Sequence, residues 1–347
     1  MTTREEERCF PDFIIGGAMK SGTSSMHTIL TSREDVFIPG TEVHFFTMGD
    51  FIQLSETVKF DTDRTRFDPS SEKKIEWYES FFKEASEEQL IGEDSTTYLP
   101  SRVAPKRIKK LIPEVKLIFM LRNPVDRTYS HYRHLVNTGR ATKTFEQELI
   151  HGTSTLHLRS MYKPQLKRYL SIFPDDQIKI VLFERFVEEM QTVVDEVHSY
   201  LNLSRTVNLD EVQTHGNPSW YPQWPRINLA INYALKGKMD RYRHHWPGEA
   251  SEAHTPKPGI GERLFRSVLL KLKDLLRLKD LLRPKDLLRP KDLLRPKDLL
   301  RDRILEYELY PPMDNSLRKR LTRLYAQKNR GIGNMIDADV GKYWPFE

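Results

Sequence analysis

Residues 10–30 constrain the fold more than any other stretch of the chain. Phe13, Ile14 and Ile15 form a short apolar run that stops at Gly16 and Gly17, which suits a strand buried on both faces of a parallel sheet. Gly16, Gly17 and Gly22 let the backbone turn tightly and approach a ligand. Thr23, Ser24 and Ser25 stand where a helix starts, so that amides and hydroxyls point at one spot, and Lys20 adds a mobile positive charge there. A helix N-terminus, consecutive N–H groups and a lysine make a site for a polyanion of phosphate or sulfate type. A tight turn with a solvated lysine would explain the glycines. It would not explain four hydroxyl residues and a lysine within residues 20–25.

Further along, apolar runs at residues 90–95, 116–121 and 178–183 read as buried strands. Helical patterns are expected at residues 24–32, 75–85, 103–111, 125–136, 144–150, 162–173, 187–201 and 314–336. This alternation predicts the α/β class, a doubly wound parallel sheet flanked by helices. With 347 residues, one large domain over 1–347 is expected.

Two segments stand apart. Residues 208–260 carry Trp220, Tyr221, Trp224 and Trp246 among prolines, as an acceptor-side cleft or ordinary packing under a loop would. Residues 271–303 hold five copies of Lys-Asp-Leu-Leu-Arg at a period of six, interrupted by Pro284, Pro290 and Pro296. A step of six rotates each leucine pair by about 240° on a helix, so no apolar stripe forms and an exposed, irregular insert is expected. This repeat holds +5 of the net charge of +6, which counts against a basic nucleic-acid-binding face on the folded body. No apolar run reaches the roughly 20 residues of a membrane span. The charged N-terminus leads straight to the first strand, so neither signal peptide nor anchor is expected. Cys9 is the single cysteine, which excludes an intrachain disulfide and fits a reducing cytoplasm.

Three further sets of residues are candidates for chemistry. Glu42 and His44 are possible bases and would share a face if their segment were extended; as a bland alternative, Glu42 caps or pairs with a cation. Arg122, at the end of a central strand, and Ser130, about two turns into the next helix, can converge on a second phosphate above the sheet. An ion pair of Arg122 with Asp126 is the alternative there, and for Ser130 an ordinary surface hydroxyl. Asp94, at a strand end, is the best candidate for an acidic Mg²⁺ ligand. A P-loop kinase or nucleotide hydrolase therefore stays open, as does a non-catalytic interaction protein acting through the repeat.

Residue order separates the loop from the triphosphatase form G-x-x-x-x-G-K-[ST], because Lys20 precedes Gly22. Residues 20–25, 42–46 and 122–130 and the closing helix with Trp344 together resemble the sulfotransferases that use 3′-phosphoadenosine 5′-phosphosulfate (PAPS). The branch is the one that includes heparan sulfate sulfotransferase domains, and the chain looks like a soluble, bacterial-type member. The likeness covers about residues 10–202 and 311–344. It implies a P-loop-like sheet. It makes Lys20, Ser21, Gly22, Thr23, Ser24 and Ser25 the 5′-phosphosulfate loop, Arg122 and Ser130 the 3′-phosphate ligands, and Glu42 the base, with Lys20 stabilising the charge that develops. It implies a cytoplasmic enzyme with PAPS as donor, no metal, and a glycan or small molecule as acceptor. Asp94 stands where the heparan enzymes have a lysine, their late Lys-Gly-Arg segment aligns with Glu306, Tyr307 and Glu308, and their cysteine-closed loop is missing. The acceptor therefore need not be a glycosaminoglycan.

Overall fold

Alternating apolar side chains bury both faces of a five-stranded parallel sheet. Its strands are β1 (Phe13–Gly17), β2 (Val36–Phe37), β3 (Leu90–Asp94), β4 (Lys116–Leu121) and β5 (Ile178–Leu182), in the order β2-β3-β1-β4-β5. The computed structural model describes residues 9–50, 71–137, 141, 143–151, 155–203, 207, 209, 220–222, 307–309 and 312–344. Phe13, Ile15, Ile118 and Met120 enter one core with Met26, Ile29 and Leu30; Ile14, Leu117, Phe119 and Leu121 enter the other with Tyr78, Phe82, Tyr98 and Trp344. This is the period-two alternation of strands covered on both sides.

The helices are α1 (Thr23–Thr31), α2 (Glu72–Glu79), α3 (Ala104–Leu111), α4 (Pro124–Asn137), α5 (Phe145–His151) and α6 (Thr155–Leu158), then α7 (Tyr162–Leu170), α8 (Phe183–Glu188), α9 (Met190–Leu201), α10 (Asn315–Lys328), α11 (Ile332–Ile336) and α12 (Val340–Tyr343). Pro124 opens α4, where its missing N–H costs nothing, and the Asn123 side chain accepts the Val125 N–H at 3.0 Å. The Asp314 carboxylate caps α10 through the N–H groups of Ser316 and Leu317.

Two expected helices are divided. The pattern at residues 187–201 belongs to α8 and α9, which meet at Glu189, where ψ reaches 46°. That at 314–336 is split at Gly331, whose φ of 77° suits glycine. β2 was not anticipated, since two residues carry no periodicity. The strand pair β6 (Trp220–Pro222) and β7 (Tyr307–Leu309) is antiparallel, so the chain leaves and returns side by side around residues 223–306. Those residues, which hold most of the 208–260 segment and the whole 271–303 repeat, lie outside the described residues, so both expectations stay untested.

Neighbouring strands meet closely at two glycines. A Cβ on Gly92 would lie 2.3 Å from the Phe13 ring, and one on Gly16 would lie 2.5 Å from the Phe119 ring. Overpacking of that kind costs about 1–3 kcal/mol. Gly92→Ala is expected to lose stability in that range, read as a lower urea midpoint at unchanged slope.

Candidate active site

From β1 the chain passes to the edge strand β2 and back to β3, then crosses to β4 and β5 on the other side of β1, so the carboxyl end of β1 lies at the switch between the two halves. Open α/β sheets bind ligands in such a crevice. Here the loop from Ala18 to Gly22 starts with the Ala18 N–H on the Met120 carbonyl at 2.7 Å. Lys20 (φ 69°) and Gly22 (φ 88°) are both left-handed, and Gly22 is the N-cap of α1 with no side-chain cap. Within the first turn, Ser25 and Met26 donate to the Gly22 carbonyl, both at 3.1 Å. The N–H groups of Thr23 and Ser24 have no acceptor among the described residues. Ser21 is fully buried beside the Tyr162 phenol, and its hydroxyl makes no ordinary hydrogen bond among the described residues. A bare helix start above a buried, unsatisfied hydroxyl is suited to an anion.

Cations gather on the β4 side of this loop. Burial pushes the Lys20 ammonium below the usual lysine value, and the guanidinium groups of Arg122 and Arg133 push it further. Arg122 follows β4 directly; its Nη1 donates to the Lys20 carbonyl at 3.3 Å and its guanidinium lies 4.7 Å from the Phe183 ring centroid. The same ring touches Gly22, where a Cβ would come within 2.8 Å of it. The Arg122 carbonyl accepts the Tyr162 hydroxyl at 2.8 Å. Next to it, the Asn123 N–H donates to Glu184 at 2.8 Å, and the other oxygen of Glu184 accepts the Trp344 indole N–H at 3.0 Å. Trp344 therefore docks, fully buried, against the turn that aims Arg122. Asp126 pairs with Arg318, so the ion-pair alternative for Arg122 does not hold.

Ser130 is buried on α4. Arg133, three residues on, shares that side of the helix and reaches the field of Lys20. Sequence reasoning did not single out Arg133. The spacing from Ser130 was the available signal.

Carboxylates gather on the β3 side. The segment holding Glu42 and His44 is not extended: His44 is left-handed at φ 57° and caps a short 3₁₀ turn, Phe45–Thr47. The side chains meet nonetheless, with His44 Nε2 3.4 Å from Glu42 Oε2. That oxygen also accepts the backbone N–H of Thr96 at 2.9 Å and its hydroxyl at 2.8 Å. His44 Nδ1 lies 2.8 Å from the Thr97 hydroxyl. A proton on Nε2, facing the carboxylate, leaves Nδ1 as the acceptor from Thr97. The Glu42 side chain is 37% exposed and that of His44 is 11% exposed, so Glu42 is the one open to a substrate. Thr96 in turn lies against β1, its carbonyl 3.2 Å from where a Cβ on Gly17 would stand.

Asp94 is nearly buried at the end of β3, with its Oδ2 3.7 Å from His27 Nδ1 of α1. Burial pushes its carboxyl up to about 6 and the Glu42 charge adds to the rise, against the pull of His27. Among the described residues no three His, Cys, Asp or Glu side chains are grouped to hold a metal ion.

The loop residues Lys20 to Ser25 and Arg122 thus line one end of the sheet, with Glu42 on the other flank. The human bifunctional heparan sulfate N-deacetylase/N-sulfotransferase 2 is 29% identical over 230 residues, covering 60% of this chain and 24% of that protein. The human heparan sulfate glucosamine 3-O-sulfotransferase 6 is 28% identical over 207 residues, covering 58% of this chain and 54% of that protein. The chain therefore spans only about a quarter to a half of these relatives. Among solved structures, a sulfotransferase from Alicyclobacillus acidocaldarius is 31% identical with a TM-score of 0.49, covering 65% of this chain and 92% of that one. The model of the sulfotransferase family matches residues 11–206, more than half of the chain, and the protein belongs to that family.

Proposed function

We propose that the protein is an enzyme that transfers a sulfonate group from PAPS to a hydroxyl or amine of an acceptor, a carbohydrate or a small-molecule metabolite, leaving 3′,5′-ADP. One observation carries this reading: Lys20, Arg122 and Arg133 crowd together at the bare start of α1, while the Glu42 carboxylate stands on the opposite flank of the same loop. A lysine ammonium depressed by burial and by two neighbouring guanidinium groups is suited to a donor with several negative charges. PAPS, when bound, supplies an electrophilic sulfur and a phosphate leaving group.

The chain's own groups then divide the work. Residues 20–25 would hold the 5′-phosphosulfate, with Lys20 and the Thr23 and Ser24 amides facing the oxygen on which charge grows. Arg122 and Ser130 would hold the 3′-phosphate. Glu42, fixed on Thr96, would take the acceptor proton. The proposal places the enzyme in the cytoplasm, on the strength of one cysteine in 347 residues. No helix among the described residues is long and apolar enough to cross a membrane.

Titration calorimetry tests the donor. 3′,5′-ADP should bind at least about tenfold more tightly than 5′-AMP, because only the former reaches Arg122 and Ser130, and Arg122→Ala should shrink that margin. Equal affinities in the wild type, with ADP released from ATP in the presence of Mg²⁺, would replace this reading by that of a kinase or hydrolase.

A further inference from the structure

β4 and β5 run in register to their ends, where Leu121 pairs with Leu182. The next two residues of each strand stay side by side. The Arg122 guanidinium lies on the Phe183 ring, and the Asn123 N–H donates to Glu184 Oε1 at 2.8 Å. The first two residues of α8 thus hold Arg122 at its charged head and at the peptide group behind it.

That peptide group is held from both sides. Its carbonyl, on Arg122, accepts the Tyr162 hydroxyl at 2.8 Å, while its N–H, on Asn123, is taken by Glu184. The N–H falls after the last residue of β4 and before Pro124, the first residue of α4, so an acceptor has to come from a side chain. Rotation of this peptide would redirect the Arg122 side chain.

Both clamps rest on one residue. Trp344, fully buried, donates its indole N–H to Glu184 Oε2 at 3.0 Å, and its ring lies 5.8 Å from that of Tyr162. Each Glu184 oxygen therefore accepts one N–H, the first from the turn and the second from the tail. Lys342 of α12 adds two exposed pairings to the same helix, at 3.9 Å to Glu188 and 3.8 Å to Glu189.

We infer that Glu184 is a positioning residue for the donor's 3′-phosphate: backed by Trp344, its carboxylate fixes the peptide between Arg122 and Asn123 and so aims Arg122, and the docked tail and the bound phosphate stabilise each other. The inference rests on Arg122 holding that phosphate. The mutual effect follows from linkage, because a tail that favours one setting of Arg122 must itself be favoured by a ligand that selects that setting.

Two measurements on the full chain test this. Titration calorimetry with 3′,5′-ADP and 5′-AMP gives the margin between the two nucleotides. Glu184→Ala should cut the wild-type margin to about threefold or less, through weaker 3′,5′-ADP binding and with 5′-AMP affinity unchanged. In an Arg122→Ala background, Glu184→Ala should change neither affinity further, since both substitutions then act on one contact. A purely structural loss would weaken both nucleotides alike and would persist without Arg122. The second measurement is exchange of the Trp344 indole N–H, followed by NMR and assigned by its loss in Trp344→Phe. 3′,5′-ADP should slow that exchange several-fold more than 5′-AMP does, and the difference should vanish in Arg122→Ala. An undiminished margin in Glu184→Ala, or a loss that is equal for both nucleotides and persists without Arg122, overturns the inference. If that variant does not fold, wild-type indole exchange that responds equally to both nucleotides overturns it. A wild type with no margin at all would fault the assignment of Arg122 to the 3′-phosphate, and the inference with it.

Discussion

Lys20→Ala is expected to keep the fold and to lose at least about 10²-fold in turnover, the amount typical of removing one preorganised donor from developing charge. That corresponds to about 2.7 kcal/mol of barrier. The fold should survive because the neighbouring contact uses the Lys20 carbonyl, on Arg122, and not the ammonium. The left-handed backbone at this position is occupied by a residue with a Cβ already, so alanine adds no strain of its own. The ammonium is depressed by burial and by Arg122 and Arg133, and among the described residues it is not half of an ion pair. Its removal should relieve repulsion and leave the melting temperature unchanged or raised, while 3′,5′-ADP formation at saturating PAPS collapses. Unaltered turnover would remove Lys20 from the mechanism.

The parts of this site that could be read from sequence are those determined locally. Three glycines and four hydroxyl residues around Lys20 specify a strand, a turn and a helix start within about a dozen positions, and the structure has β1, the left-handed Gly22 and α1 there. The apolar run at β4 marked Arg122 as a strand-end residue for the same reason. Glu42 is different. Its identity came from resemblance, and its position depends on Thr96, which is 54 residues away and shows no pattern linking the two. Arg133 escaped notice because its relation to Lys20 exists only through space.

The segment of Glu42 and His44 does not meet the extended condition under which the two would share a strand face: it turns at His44, which is left-handed, with its N–H held by Ser95 and its carbonyl by the Thr47 side chain. The break between α8 and α9 was hidden because Phe186 on one side and Val193, Val194 and Val197 on the other enter a single core, so the apolar rhythm runs through it. Periodicity reports which face is buried. It does not report where the backbone bends between two helices that bury the same face.

Glu42→Gln is expected to bind PAPS and 3′,5′-ADP as the wild type does and to lose about 10²-fold or more in turnover, since it keeps the size and removes the basicity. The binding should hold because the cations proposed to hold the donor come from the loop, the end of β4 and α4, and not from the segment of Glu42. His44 competes for the same role on intrinsic pKa alone. Its surroundings argue otherwise: it is largely buried, its Nδ1 is taken by Thr97, and its Nε2 faces Glu42, which makes it a donor to the base. His44→Asn retains a residue that tolerates the left-handed backbone, so it isolates the side chain's role from strain. It should lower turnover by less than Glu42→Gln does, through a carboxylate that has lost its contact with His44 and still keeps both from Thr96. The opposite ranking, with Glu42→Gln near wild type and His44→Asn down by about 10²-fold, would move the base to His44.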